Sequence, residues 1–211
     1  MTTAPTSNRY HHGDLPNALK GAAAEVIAER GPSGFSLREV ARRAGVSHAA
    51  PAHHFRDSTG LLTELAVDAF RYLDAAMSEA EAAATDSVDR LRLLGRAYVE
   101  VAVEHPAHCS IVFRGDVVDT TSPDYQEWGE RAYGHLAAAV EAVAAEHNPD
   151  LDIGLAASLC WSAMQGLIVL HPGMIKRQEL FCDPEEITTE SIGDIAERFG
   201  DMMMAGFKAR P

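Results

Sequence analysis

The chain has 211 residues, of which 46% are apolar and 23% charged, and its formal net charge is -13. Such a composition supports one large domain, or a small domain joined to a larger one, with a buried core, and it excludes a disordered chain. Three cysteines, with no CxxC pair, exclude a disulfide framework and a cysteine-rich zinc module.

Residues 1–9 are polar and read as a flexible arm. Leu15, Leu19, Ala22, Ala23, Val26 and Ile27 recur at spacings of three and four, which describes one helix face. Gly31-Pro32-Ser33-Gly34 stops that helix. Ser36 with Glu39 three residues on is a capping-box pattern, in which each side chain satisfies the other residue's backbone N–H. Leu37, Val40, Ala41 and Ala44 make the buried face of this short helix, and Gly45 supplies a tight turn. Ser47 is read as the cap of a second short helix reaching about His54, with Pro51 distorting its first turn. Phe55 is the expected apolar plug. Asp57 or Ser58 then starts a long helix with Leu61, Leu62, Leu65, Ala66, Ala69, Phe70, Leu73 and Met77 inward.

Four further helical segments are expected. Residues 87–104 place Val88, Leu91, Leu94, Tyr98 and Val101 on one face, and His105-Pro106 breaks them. After a short piece at 107–113 and a loop at 114–123, helix resumes over 124–146. Residues 151–171 are apolar on most sides, 172–183 read as irregular, and Asp183-Pro184-Glu185-Glu186 is a start signal for a last helix over 187–208. That helix bears Ile192, Ile195, Phe199, Met202, Met203 and Phe207. No run has strand periodicity, so the fold class is all-α. The first thirty residues hold no apolar run of signal-peptide type. Leu155 to Leu170 is interrupted by Ser158, Ser162 and Gln165 and is short for a bilayer. A cytoplasmic protein is expected.

Charge is unevenly spread. Residues 1–60 carry seven Lys/Arg against five Asp/Glu, and the remainder carries eleven against twenty-six. Five of the ten histidines, His11, His12, His48, His53 and His54, also lie in the first segment. A mildly basic head on an acidic body fits a nucleic-acid partner for the head. Residues 36–54 have helix-turn-helix spacing. Ala49 and Ala50 would let a slim second helix approach a major groove, where small side chains can also meet a thymine methyl.

Tyr10-His11-His12-Gly13-Asp14-Leu15, Phe35-Ser36-Leu37-Arg38-Glu39-Val40-Ala41, Ala44-Gly45-Val46-Ser47 and His54-Phe55…Leu61-Leu62 resemble the DNA-binding domain of TetR/AcrR-type transcriptional regulators. The match covers about the first third of the chain. Trp161…Gly166 is similar to a "WHG" subgroup of the family's ligand domains. The resemblance implies an N-terminal three-helix helix-turn-helix domain (1–58) and a C-terminal helical ligand-binding and dimerisation domain (59–211). It implies a homodimer on a palindromic operator, most often a repressor released by a small molecule, with no cofactor. Carried over by position, Ser36 would cap its helix and touch a phosphate. Ser47, His48 and Ala49 would face base edges or the groove wall, and His53 and His54 would lie near the backbone. Arg9 could reach an adjacent groove, and Arg38 and Arg42 are candidate phosphate contacts. Ala52 and Ser58 stand where the family usually has Tyr and Lys, both phosphate-contacting. DNA binding is therefore expected to be weakened, with histidines partly replacing the missing cations and tighter binding toward pH 6.

Two rival readings remain. Ala52 and Ser58 also suit a helical ligand-binding protein that has lost its DNA function. His105, His108 and Cys109 gather possible metal ligands, as in a helical metalloenzyme, but no HExxH or ExxH pair accompanies them and no nucleophile motif or triad is present. In the body, Tyr98, Phe113, Trp128, Cys160, Trp161 and Met164 are candidate ligand contacts, with Gln165 or His135 as polar anchors. The acidic body favours a neutral or cationic ligand. Helices 151–171 and 187–208 are the expected dimer face, with Ala156, Ala157, Ala163 and Gly166 permitting close approach and Met202-Met203-Met204 adapting around them.

Overall fold

The computed structural model describes residues 14–181 and 191–208. The arm with Arg9, the Tyr10–Gly13 motif and the Asp183–Glu186 start signal lie outside them. Among the described residues there are nine α-helices and no strand.

Helix α1 (Leu15–Arg30) has Pro16 in its first turn, where a missing N–H leaves no bond unmade. It buries Leu19, Ala22, Ala23, Val26 and Ile27, the face expected from their spacing. A 3₁₀ turn (Pro32–Gly34) leads to α2 (Leu37–Arg43). Gly45, at φ +68°, turns the chain toward α3 (Ala50–Phe55), a backbone angle that glycine reaches at little cost. Asp57 starts α4 (Ser58–Ala83) by accepting the Gly60 N–H at 2.9 Å. All eight residues expected inward on α4 are buried. Asp86 caps α5 (Ser87–Glu104) in the same way. The short α6 (Pro106–Cys109), α7 (Pro123–His147), α8 (Ile153–Phe181) and α9 (Ile192–Lys208) complete the chain.

Helix α4 is the common spine. It packs on α1 and α3 at its start and on α5 and α7 along its length. Leu61 and Leu65 are fully buried there, and Phe70 meets Tyr125 of α7 edge to face with ring centres 5.2 Å apart. Helix α6 wedges between α1, α4 and α5. Lys20 of α1 pairs with Asp68 of α4 at 2.6 Å, and both side chains are largely covered. Helix α9 lies along α5, where Arg92 holds Glu197, and Arg96 holds both Asp194 and Glu197.

Several local expectations are corrected. Ser36 occupies the N-cap position of α2 but its side chain makes no cap bond, and the Glu39 carboxylate, which the box would turn back to the Ser36 N–H, binds Arg30, Arg42 and Arg43 instead. Ser47 is not the cap of α3: its carbonyl accepts the Ala50 N–H at 3.0 Å, and the helix begins at Ala50. Pro51 therefore falls in the first turn, buried and without a lost bond. Residues 172–181 are helical rather than irregular, since α8 continues through Pro172 for 29 residues. The last helix begins at Ile192, within the described residues, and Met202, expected at the dimer face, is 74% exposed on it. On α8, Ala156 and Ala157 are sealed inside their own chain rather than left for a partner's close approach. The window Ile153–Leu170 has a mean hydropathy of 1.7, enough for a membrane span by length and composition only. Here its inner face packs on α5, α7 and α9.

Candidate functional site

The helix-turn-helix is built from the inside. Val40, Ala41, Ala44 and Pro51 are buried beneath it, and Leu37, Val46 and Phe55 pack against the same core. These anchors leave Ser47, His48, Ala49, Ala52, His53 and His54 exposed along one short element. Small residues and imidazoles thus form a narrow ridge, with no bulky side chain to hold it away from a groove wall.

The cations beside this ridge are mostly committed. Arg42 is exposed, yet its Nε and Nη2 donate to Glu39 at 2.9 and 2.8 Å. Arg43 donates to Glu29 and Glu39, and its Nη1 lies 3.6 Å from Glu25. These guanidiniums hold the Glu39 carboxyl at about 2, well below the usual range. Among the described residues of the head, Arg38 and Arg56 are the cations without an ion pair. Ser36 is half-buried.

Arg56 closes the ridge with a strained backbone. Its φ of +66° and ψ of -60°, with the Asp57 N–H donating to the Phe55 carbonyl at 2.8 Å, define a positive-φ γ-turn. The next turn leaves no room for a side chain at Gly60, where a Cβ would sit 2.0 Å from the Phe55 carbonyl oxygen.

The body encloses two chambers on either side of Tyr98. The inner one is almost wholly apolar, holds about 40 Å³ of free space, and is lined by Met77, Leu94, Cys160, Trp161 and Met164 among others. The outer one has about 380 Å³ and adds polar groups: Cys109, Ser110, Arg114 and Gln165. Tyr98 donates to Gln165 Oε1 at 2.8 Å and accepts from Trp161 Nε1 at 3.0 Å. Burial pushes the Tyr98 phenol upward, so this partition stays neutral. Trp161 also touches the rings of Tyr98, Phe113 and Tyr133.

The structure thus brings Tyr98, Phe113, Cys160, Trp161, Met164 and Gln165 around these chambers. Trp128 lines neither: Arg71 and Arg131 lie over its ring at 5.2 and 4.5 Å, a cation–π arrangement outside the chambers. His135 is no anchor, because its ring nitrogens face Asp74 and Glu81 at 3.3 and 3.1 Å. Arg114 escapes sequence reasoning because a loop residue carries no periodic signal. Burial pushes Cys109 and Cys160 up to about 11, which leaves both thiols protonated and poorly nucleophilic.

His105 and His108 do not converge on a metal geometry. His105 stacks on Tyr72 with centres 3.9 Å apart, and His108 meets the same ring edge-on. Burial lowers the His108 pKa, against the pull of Asp68. No group of three or more His, Cys, Asp or Glu that could hold a metal occurs among the described residues.

Residues 21–65 match the family model described as "Bacterial regulatory proteins, tetR family". Residues 91–192 match "Tetracyclin repressor-like, C-terminal domain". Together these cover more than two thirds of the chain. No curated protein matches it. Among solved structures it is similar to a protein of unknown function from Rhodococcus sp. RHA1. They share 28% identity over 95% of this chain and 98% of that one, with a TM-score of 0.74. It is similar in fold to the TetR family transcriptional regulator PfmR from Thermus thermophilus (21% identity, 89% and 97% covered, TM-score 0.67). A bacterial regulatory protein of the tetR family from Rhodococcus RHA1 has the same fold (20% identity, 94% and 100% covered, TM-score 0.67).

Proposed function

The chain belongs to the TetR family of bacterial regulatory proteins, and on that premise we propose that it is a ligand-responsive, non-enzymatic regulator of transcription in the cytoplasm. The reading is a homodimer that represses from a palindromic operator and is released by a small molecule. We divide it into a reading head, 1–58, and a ligand-binding and dimerisation body, 59–211. The single observation that carries the reading is the exposed ridge Ser47-His48-Ala49 on a fully packed scaffold. Ser47, His48 and Ala49 meet the groove, with His53, His54, Ser36 and Arg38 toward the phosphates. Arg42 contributes only if it leaves Glu39.

The dimer face is the outer side of α8 with α9. Leu155, Leu159, Val169 and Leu170 are 69%, 50%, 66% and 61% exposed, which is an unusual concentration of large apolar side chains on one helix. A two-fold partner would bury them and form a four-helix bundle. It would also set the two ridges about 34 Å apart, one helical turn of DNA, or a multiple of that distance. A ligand between the body helices would favour one spacing of the heads by its differential affinity, with α4 carrying the pivot.

The test is selection of genomic fragments by the purified protein, followed by a screen for compounds that release them. Enrichment of palindromic fragments is the expected result. No enrichment, with a dimer that still takes up small molecules, would favour the second reading. That reading is a ligand-binding protein without a DNA function, and the commitment of Arg30, Arg42 and Arg43 to glutamates supports it.

A further inference from the structure

We infer that the outer chamber takes a carboxylate with an apolar body, and that this acid displaces Asp116 from Arg114. The inference rests on the body being a ligand-binding unit and needs nothing from the DNA reading.

Three observations converge. First, the chamber has a volume of about 380 Å³, within the range of small-molecule sites, and walls such as Ala102, Val112, Phe113 and Ile168 are apolar. Second, the polar groups around it differ. Tyr98 is a neutral hydroxyl already committed to Gln165 and Trp161, and it also lines the inner chamber, whose one charged lining residue, Arg92, is already held by Asp89 and Glu197. Among the described residues, the charged group lining the chamber is Arg114. A ligand with one charged end therefore has a preferred orientation, apolar end inward and charge beside Arg114. Third, Arg114 already holds a carboxylate in the paired geometry that guanidinium favours. Its Nε and Nη2 each donate to one Asp116 oxygen at 2.7 Å.

Exchange at this position costs little. The Asp116 side chain is 62% exposed and that of Arg114 40% exposed, so a released Asp116 carboxylate returns to water. The guanidinium gives up a water-exposed pair, worth little, for a pair at the apolar wall of the chamber, where it is worth more. The apolar body of the incoming acid leaves water for the chamber, and that transfer drives the exchange. The overall acidity of the body does not set the preference, because the charge bordering the chamber is basic.

The probes are decanoate and decanol, titrated by calorimetry into the full-length protein in the absence of DNA. Decanoate should bind about tenfold or more tightly than decanol, the effect of one charge-assisted hydrogen-bonded pair. Arg114→Gln should reduce decanoate to the affinity of decanol and leave decanol unchanged. Asp116→Asn removes the competitor and should tighten decanoate severalfold without affecting decanol. No uptake of decanoate, equal binding of the two probes, or a decanoate affinity indifferent to Asp116→Asn would each overturn the inference. Uptake of decanoate by a protein that selects no DNA would leave it intact and count against the regulator reading instead.

Discussion

The head and the body of this chain bury aliphatic faces to opposite ends. In the head, Leu19, Ala23, Val26, Val40 and Ala41 are sealed almost completely, and the ridge they support carries small and imidazole-bearing side chains, with the neighbouring Arg42 and Arg43 neutralised by glutamates. In the body, Tyr98, Trp161, Met164 and Cys160 meet around space they do not fill. A surface that reads a fixed groove needs a close-packed support, because close packing resists displacement. A container needs walls that stop short of each other, and the polarizable thioether of Met suits such a wall. The two regions meet at the start of α4, where Arg56, just before it, stores backbone strain and Gly60, in its first turn, leaves no tolerance.

The largest expected effect breaks the contrast at that junction. Gly60→Ala would push a methyl into the Phe55 carbonyl and should destabilise the protein by about 2–3 kcal/mol in urea unfolding. A change under about 0.5 kcal/mol would mean that the junction is pliable and the head is not rigidly supported.

Next in size is the loss of the imidazoles along the ridge. His48, His53 and His54 are exposed, and the nearby arginines Arg42 and Arg43 are paired. Replacing all three histidines with Ala should weaken operator binding about tenfold at fixed ionic strength, the effect of about 1.4 kcal/mol of lost polar contacts. An unchanged affinity would place the useful contacts elsewhere.

A smaller effect sharpens the role of the glutamates. Glu39→Gln frees Arg30 and Arg42, and should strengthen DNA binding at low salt while steepening its salt dependence by about one counterion. The same variant should alter acid stability. The Glu39 carboxyl ionises at about 2 in the folded protein, below its ordinary 4.5, so its pairing stabilises the fold above pH 4.5 and is lost as pH falls toward 2. The variant should lack that part of the acid-unfolding slope, and an unchanged slope would show the pairing to be unimportant.

The smallest effect concerns coupling. The backbone N–H of Asp119, in the loop that begins at Arg114, donates to Thr63 Oγ1 on α4 at 2.8 Å. Thr63→Val should cost about 1 kcal/mol or less. It should leave decanoate uptake unchanged while weakening the effect of decanoate on operator affinity. An unaltered effect would route the signal through α6 instead.

The head was legible because its signals are local. Gly45 marks a left-handed turn, and the three-and-four spacing of Leu19, Ala22, Ala23, Val26 and Ile27 marks a face whatever else is present. What misled there was competition from distant groups. The Ser36–Glu39 box is a local pattern, and Arg43 from the next turn and Arg30 from α1 take the carboxylate from it. In the body, helix existence followed from periodicity but the chambers did not. Trp128 and Trp161 look alike in sequence, yet two arginines draw one out of the chambers while Tyr98 and Phe113 enclose the other. Pro172 reads in the sequence as the end of α8, but a local penalty of about 3 kcal/mol does not stop a helix whose preceding turns are packed along three others.

The most direct test of the account is selection from random-sequence duplexes by the wild-type protein and by His48→Ala and Ala49→Leu variants. The account predicts that wild type enriches a two-fold palindrome, and that each substitution changes the preferred bases within the half-sites. Identical preferences in all three proteins, or no preference in any, would contradict the claim that this ridge reads DNA.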